Sequence, residues 1–382
     1  MGPHLHFEVR ESVTERPLNP GLFLHLGDER APNVRGVYVY HFSKEGYLLA
    51  RHKFGVKMDE NEVYQVGKLT MVSGKVGIGI QADDFMKGSW NKLGVYDMRM
   101  YVKGCEIFTM RMDTMSFEQN RLVNELKDFD LYKKGEMVYM TFGNYQPRLL
   151  GVRSVNDGLI QLERDSVLPV EFVLSDINEN CSRMRLSLQG GDTVSELVVD
   201  SSVLLLDYWR VRAWRVGSYC LTVDSNAIPR VIKVESKIVR IVVDSFCERE
   251  IFWITDEAVP LLKNARLRVK GEFSKKHVLC LVDEKGKLSP LRTWWDGQEL
   301  CAETRLLGSY SVAIDTISPM IRYLGVQNRN VCFRVRDYFS RIGVYRGEVN
   351  GRWCLFVYDA KRNLLSASLQ EPVFRKGKIK LF

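Results

Sequence analysis

The amino-acid sequence predicts a mainly β protein built from tandem sandwiches, and three observations lead to that fold class. Short runs of β-branched and aromatic residues recur along the chain, such as residues 37–40, 238–243 and 277–282. Turn signals rich in glycine, asparagine and aspartate separate these runs. A spaced motif also occurs twice, and a repeated β unit is typical of tandem sandwiches.

Turn dipeptides are the most specific local signals. Asn350-Gly351 lies between two β-like runs, and this pair supplies the two positive-φ residues that a type I′ hairpin requires. Similar chemistry predicts hairpins at Asp157-Gly158 and Lys103-Gly104. One helix is expected from Ser116 to Phe129, with Ser116 as its N-cap and Gln119 in the capping box.

The repeated motif predicts the domain boundaries. Asp28-x-x-x-Pro32 matches Asp315-x-x-x-Pro319, and a Gly-Val-Tyr string follows each copy at residues 94–96 and 343–345. Since each copy opens a β unit, we cut the chain near both. The expected divisions are a terminal segment at 1–30, a sandwich at 31–192, a second β domain at 193–314 and an incomplete β domain at 315–382.

Composition and charge narrow the function classes. The 382 residues carry a formal charge of +8, with positive and negative residues interleaved, which is typical of an ordinary solvated surface. In residues 266–270 the basic residues alternate with apolar ones, which favours one wet strand face over a nucleic-acid groove. No apolar run approaches the roughly 18 residues that cross a bilayer. We therefore expect neither a nucleic-acid partner nor a transmembrane segment in this chain.

The eight cysteines form no C-x-x-C pair, so neither a zinc ribbon nor a thioredoxin motif is present. Several lie in β-like runs, where a free thiol behaves as a small apolar residue. We expect mainly buried free thiols, while disulfides in an oxidising envelope stay open as the alternative.

The first ten residues carry the chemistry. Residues 2–10 read G-P-H-L-H-F-E-V-R, with apolar and histidine side chains alternating. A strand sends successive side chains to opposite faces, so His4 and His6 would share one face, about 7 Å apart. Leu5 and Phe7 would be buried on the other. Two imidazoles on one rigid face suit a metal centre.

This string, followed by Pro17-Leu18-Asn19-Pro20, resembles the closing segment of M23 (LytM/lysostaphin-like) zinc metallopeptidases. The resemblance covers about the first twenty residues. It implies that His6 binds zinc and that His4 is the catalytic histidine, acting beside the water that zinc activates for attack on a peptide carbonyl. It further implies peptide cross-links of peptidoglycan as substrate and a periplasmic or extracytoplasmic location.

The sequence departs from that family in its remaining ligands. M23 enzymes supply two more ligands from an upstream H-x-x-x-D, and no histidine here has an aspartate four residues on. One imidazole does not hold zinc in a catalytic geometry. With no signal segment before Gly2, we expect that the chain begins inside a longer protein and is inactive alone.

The remaining β units resemble the bacterial immunoglobulin-like domains that follow the peptidase domain in some M23 proteins. We expect them to position the peptidase or to bind envelope partners. Two alternatives stay open. In the first, the chain is a non-catalytic LytM-like adaptor with a degenerate site. In the second, it is a β-sandwich protein with an interaction or structural role and a vestigial H-x-H segment.

Three other patterns have structural interpretations that we favour. Residues 74–79 contain three glycines but lack the helix and the Gly-Lys-Ser/Thr ending of a phosphate loop, which favours strand glycines at close packing. Asp83-Asp84 has calcium-ligand chemistry but is more typical of a turn. Trp294-Trp295 has the chemistry of a sugar-stacking platform, although core packing or a structural turn is the commoner role.

Overall fold

The computed structural model describes residues 7–24, 27–143, 149–192, 204–206, 211–228, 230–244, 247–254, 259–369 and 378–381. Strands dominate these residues, so the predicted mainly β fold class is confirmed. The ranges just given contain one short α-helix, α1 (Phe129–Lys133), and four 3₁₀ turns, at Pro20–Leu22, Phe117–Gln119, Leu122–Leu126 and Asn156–Gly158. Within the described ranges no helix has the length and apolar character needed to cross a membrane.

The first sandwich comes after a two-stranded hairpin. Alternating or wholly apolar strands pair into two sheets, in the orders β10-β7-β3-β4 (with β12 also on β7) and β11-β9-β8-β13-β14-β6-β5. The strands are β1 (Val9–Arg10), β2 (Pro17–Leu18), β3 (Asn33–Phe42), β4 (Leu48–Gly55), β5 (Lys57–Met58), β6 (Val63–Met71), β7 (Gly74–Asp83), β8 (Asp97–Val102), β9 (Cys105–Arg111), β10 (Val138–Met140), β11 (Val152–Ser154), β12 (Ile160–Leu162), β13 (Val167–Ser175) and β14 (Cys181–Gly190).

Two apolar clusters stabilise this sandwich. The inward residues of both sheets, such as Ile78, Met100 and Phe172, are fully buried and form one core. A second cluster packs Tyr38, Tyr40 and Phe42 of β3 against α1 on the outer side of the smaller sheet. Strand β3 is therefore buried on both faces, which explains its nearly continuous apolar sequence.

A second pair of sheets comes next, in the orders β16-β17-β21-β25-β24 and β19-β20-β26-β22-β23, beside a small β15-β18 pair. Leu221, Leu267, Phe252 and Tyr310 belong to the buried core that the two larger sheets share. The strands are β15 (Leu204–Leu206), β16 (Arg212–Val216), β17 (Tyr219–Val223), β18 (Ile232–Val234), β19 (Lys237–Asp244), β20 (Cys247–Trp253), β21 (Val259–Lys270), β22 (His277–Val282), β23 (Leu288–Pro290), β24 (Thr293–Asp296), β25 (Glu299–Leu307) and β26 (Ser309–Ile314).

The last region forms sheets in the orders β27-β28-β32-β31 and β30-β29-β33. The described residues of this region surround a core of their own, with Val335, Val349, Phe356 and Leu365 buried. The expectation that this domain is incomplete stays a prediction. The three cores span residues 34–188, 214–310 and 331–367, while the exact cuts stay predictions. The strands are β27 (Met320–Gln327), β28 (Asn330–Arg336), β29 (Gly347–Val349), β30 (Arg352–Cys354), β31 (Val357–Asp359), β32 (Leu364–Ser368) and β33 (Ile379–Leu381).

The turn predictions have mixed outcomes. Asn350 and Gly351 have φ of 53° and 77° and join β29 to β30, and Lys103-Gly104 joins β8 to β9, so both hairpins are confirmed. Asp157-Gly158 instead connects β11 to β12, which pair with strands of different sheets. That hairpin prediction is wrong because the dipeptide carries the chain from one sheet to the other.

The long helix predicted over Ser116–Phe129 is also wrong. Two 3₁₀ turns occupy the region, and the Ser116 side chain makes no capping hydrogen bond. Lys127 is extended and forms an isolated bridge with Tyr139, which interrupts any continuous helix. Helix α1 begins only at Phe129, capped by Asp128 through the Leu131 amide.

Candidate functional site

The predicted catalytic His4 and predicted zinc ligand His6 lie outside the described residues. The structure describes the chain from Phe7, where a hairpin pairs Val9 with Leu18. The Phe7 side chain is 57% exposed, so the prediction that it is buried is wrong. The described structure thus begins directly after the H-x-H motif, at the segment that leaves it.

The Pro17–Pro20 stretch is hydrogen-bonded to the first sandwich. The Asn19 amide donates to the Asp113 carbonyl at 2.8 Å, and its side-chain Nδ2 donates to the Met112 carbonyl at 3.0 Å. The Met115 amide in turn donates to the Pro17 carbonyl at 3.2 Å. Asn19 Oδ1 also accepts from the Gly21 amide and caps the 3₁₀ turn. The segment is therefore held by main-chain pairing over several residues.

Farther along, Asp28 forms a second attachment. Its side-chain Oδ1 accepts from the Lys87 amide at 2.9 Å, and its carbonyl accepts from Asn180 Nδ2 at 3.0 Å. Ser182 then donates to the Pro32 carbonyl at 2.6 Å. The first copy of the repeated motif therefore attaches the chain to the first sandwich directly before β3 begins.

An acidic cluster surrounds this junction. Asp84 is 5% exposed, and the carboxylates of Asp176 and Asp28 lie close enough to repel its negative charge. Burial raises the pKa of the Asp84 carboxyl to about 6; a hydrogen bond from the Phe85 amide opposes the shift, and the two neighbouring carboxylates add to it.

The neighbouring carboxylates have protein donors of their own. Asp83 is ion-paired with Arg35 at 2.8 Å and Lys92 at 3.2 Å. Asp176 accepts from the amides of Asn178 and Asn180. Asp83 is the last residue of β7 and Asp84 forms an isolated bridge with Leu93, so the pair has a structural role as favoured, but the expected turn is wrong.

A groove of about 1320 Å³ covers the outer face of the larger sheet. We call it the outer groove; its floor includes Arg99 and Tyr101 of β8, Glu171 of β13, and Arg183 and Arg185 of β14. Gly21 and Leu22, from the docked segment, form part of its wall. The groove therefore reaches the stretch of chain that leaves the H-x-H motif.

Charge in the outer groove is arranged around Glu171. Arg183 Nη1 and Arg185 Nη2 contact the same Glu171 oxygen at 3.2 Å and 3.1 Å, and both guanidiniums stay about half exposed at 53% and 55%. Two cations share one anion, so the pair of arginines keeps positive charge and donors available. Planar polar side chains beside a tyrosine suit an extended polar ligand such as a glycan or peptide strand.

Sequence reasoning did not single out the outer groove, although a signal for it exists. Residues 181–190 alternate strictly, with Met184, Leu186 and Leu188 buried and Arg183 and Arg185 exposed. That period identifies a wet strand face. It does not reveal that β8, β13 and β14 lie side by side, because strand order comes from long-range pairing.

The tryptophan pair lies on β24, an edge strand of the second region. Trp294 and Trp295 are 37% and 40% exposed, and the Trp295 ring lies 6.2 Å from that of Phe273. Both rings are thus accessible rather than buried in the core. The expected core packing is wrong for this pair, because an edge strand leaves one side to solvent.

The strand-glycine interpretation of residues 74–79 holds: they lie in β7, and a Cβ on Gly77 would meet the Phe142 ring at 2.3 Å. Seven cysteines are free thiols, with Cys105 and Cys181 exposed and the others buried (Cys220, Cys280, Cys301, Cys332 and Cys354). Buried free thiols are therefore the main pattern, as expected.

Within the described ranges, no three or more histidine, cysteine, aspartate or glutamate side chains form a group that could hold a metal ion. The structure brings together the exit of the H-x-H segment, the first sandwich and the outer groove. No protein-family model matches the chain, and no curated protein shows significant similarity to it.

Proposed function

We propose that this chain is the C-terminal part of a zinc-dependent peptidoglycan endopeptidase of the cell envelope, periplasmic or extracytoplasmic. One observation carries the proposal, the string Gly2-Pro3-His4-Leu5-His6-Phe7-Glu8 with Pro17-Leu18-Asn19-Pro20 after it. A lone H-x-H pair is common, whereas the longer string joins a metal-binding strand to a specific exit sequence.

In this proposal His6 supplies one zinc ligand and His4 handles a proton or stabilises charge beside the reacting carbonyl. Zinc, when bound, activates water for attack on the peptide bond. The other two ligands come from a part of the protein upstream of Met1. The substrate class is the peptide cross-links of peptidoglycan.

Contacts in the described structure support a positioning role for the first sandwich. Because Asn19 and Asp28 attach the exit segment to it, the sandwich would hold the strand carrying His4 and His6 in a defined orientation. The outer groove reaches that same segment at Gly21. A wall polymer lying in the groove would therefore approach the peptidase end.

The test uses the protein extended upstream with its natural coding sequence. We expect one bound zinc and release of peptide fragments from purified sacculi. His6→Ala should lose zinc and activity together, whereas His4→Ala should keep zinc and lose activity. His277→Ala, which alters a histidine of β22, is the matched control and should change neither. An upstream sequence without an H-x-x-x-D motif contradicts the enzyme proposal.

A non-catalytic envelope protein is the second candidate, either a LytM-like adaptor or a β-sandwich interaction protein. The outer groove favours this second candidate, because its polar lining is suited to binding a ligand without a metal ion. Purified sacculi mixed with this chain should then retain it, and Arg183→Glu with Arg185→Glu should weaken retention about tenfold.

The control for the binding experiment is Arg240→Glu. Arg240 is also an exposed sheet arginine paired across strands with one glutamate, Glu250, at 2.9 Å, but it lies in the second region. Equal loss of retention by Arg240→Glu would mean that sacculi respond to overall charge. Retention without activity in the extended protein selects the second candidate over the first.

A further inference from the structure

Two histidines of the first sandwich lie side by side on neighbouring strands. In the β3–β4 pairing, Val39 is opposite His52 and Ala50 is opposite His41, so the two imidazoles are diagonal neighbours on one face of the sheet. Their ring centroids are 5.7 Å apart and their planes are inclined at 82°. That face is the one that turns Val37 and Val39 into the sandwich core.

The spacing suits a shared metal ion. An imidazole nitrogen lies about 1.2 Å from its ring centre and binds zinc at about 2.0–2.1 Å. Two rings that share one ion at angles between a right angle and a straight line therefore have centres about 4.6–6.5 Å apart. The observed 5.7 Å lies well inside that interval.

Hydrogen bonding leaves one nitrogen of His41 free to bind an ion. His41 is only 8% exposed, and its Nε2 is buried without a hydrogen-bond partner in the part of the chain that the structure describes. Leaving a buried imidazole nitrogen without a partner is destabilising, because the nitrogen has lost its hydrogen bond to water. Burial, with a smaller effect from His52, also lowers the pKa of His41, which favours the neutral form of the ring that can coordinate.

Access comes from the His52 side. His52 is exposed, and β4 is the edge strand of its sheet. An ion could therefore approach along the rim of the sandwich, bind His52 first and then the buried ring of His41. Once bound, it would tie the edge strand β4 to the central strand β3.

We propose that His41 and His52 form a binding site for one divalent transition-metal ion, whose remaining coordination positions are taken by water. The described residues bring no third protein ligand to the pair, so the site fits a structural or exchangeable ion. Two imidazoles favour Cu²⁺ over Ni²⁺ and Zn²⁺ by the usual affinity order. The site is separate from His4 and His6 and does not depend on the function proposed above.

The test titrates Cu²⁺ and Zn²⁺ into the full chain carrying His4→Ala and His6→Ala, which removes the other proposed metal ligand. We expect one ion to bind, with a copper spectrum that reports two nitrogen ligands, and a rise in melting temperature. His52→Gln should weaken binding at least tenfold and leave at most one nitrogen. His52 is exposed, so this variant is expected to fold even if His41→Gln does not.

His277→Gln is the matched control, since it removes a histidine of β22 and should leave the titration unchanged. Equal binding by the His52→Gln variant and its parent would overturn the proposal. So would a copper spectrum that keeps two nitrogens after His52→Gln, because the ion would then be held elsewhere.

Discussion

Asn19 Nδ2 donates a hydrogen bond to the Met112 carbonyl, and this 3.0 Å contact joins the exit of the H-x-H segment to the first sandwich. The same side chain caps the next turn through the Gly21 amide. This side chain therefore contributes both to the course of the segment and to its attachment, beside the main-chain hydrogen bonds of Pro17 and Asn19. A domain that ends at this segment would be oriented by these contacts together with those of Asp28.

Asn19→Ala should loosen the junction without unfolding the sandwich. Two side-chain hydrogen bonds are lost, which corresponds to about 1–2 kcal/mol of local stability. Amide exchange at residues 17–24 should accelerate about tenfold, as mass spectrometry can measure. Asn91→Ala, at an exposed loop position, is the control. Equal acceleration in both variants would contradict the role given to Asn19.

The strand pattern made much of the fold predictable, and long-range pairing made the rest unpredictable. The alternation in residues 181–190 identifies a half-buried strand, and Asn350-Gly351 identifies a hairpin, because both signals are local. The strands on either side of Asp157-Gly158 do not pair with each other: β11 pairs with β9 in one sheet, and β12 pairs with β7 in the other. Likewise, the predicted helix does not form, because Lys127 is extended and forms a β-bridge with Tyr139, twelve positions away.

The site shows the same division. The string around His4 and His6 is readable in the sequence, but the outer groove is not, because it needs Arg99, Glu171 and Arg185 brought together from separate strands. Nor does the sequence pair His41 with His52, whose proximity depends on the β3–β4 register. Local chemistry is visible in sequence, whereas surfaces assembled across strands require the fold.

The buried carboxylate of Asp128 should be one of the largest single contributors to the first sandwich. It accepts from Tyr40 Oη at 2.8 Å and pairs with Arg51 at 2.5 Å, and it also caps α1. Asp128→Ala removes all three contacts and leaves Arg51 paired only with the less buried Asp130, at 3.3 Å, so we expect a loss of about 3 kcal/mol. Chemical denaturation measures the difference.

Two further variants calibrate that result. Tyr40→Phe removes only one hydrogen bond to Asp128 and should cost about 1–2 kcal/mol. Asp165→Asn changes an exposed carboxylate, 87% accessible, and should stay within about 0.5 kcal/mol of the parent. An Asp128→Ala effect no larger than that of Tyr40→Phe would mean that the ion pair contributes little.

Close packing at Gly77 should make even a methyl group destabilising. A Cβ there would lie 2.3 Å from Cδ1 of Phe142, so the ring or β7 must move. Gly77→Ala is expected to lower the free energy of unfolding by about 1–3 kcal/mol. Gly55→Ala is the control, because no atom lies within 4 Å of its added Cβ. Similar unfolding midpoints for the two variants would refute the packing argument.

Asp84 should give the first sandwich a stability that depends on pH. Its folded-state pKa of about 6 exceeds the ordinary value of 3.8, so the folded protein holds a proton that the unfolded chain has released between those pH values. Stability should therefore fall as pH rises from 4 to 6, by up to about 3 kcal/mol from this group. Asp84→Asn imitates the protonated carboxyl and removes this dependence.

The measurement compares unfolding free energies of the parent and Asp84→Asn at pH 4 and pH 7. The two proteins should agree at pH 4, whereas the variant should be the more stable at pH 7, because the parent then keeps a buried charge beside Asp28 and Asp176. Asp165→Asn should run parallel to the parent throughout. Since Asp28 fastens the exit segment, protection of the amides at residues 27–32, expressed relative to the intrinsic exchange rate at each pH, should also fall between pH 4 and pH 7 in the parent but not in Asp84→Asn. A constant difference between parent and Asp84→Asn at both pH values would show that Asp84 titrates normally and that the acidic cluster does not strain this junction.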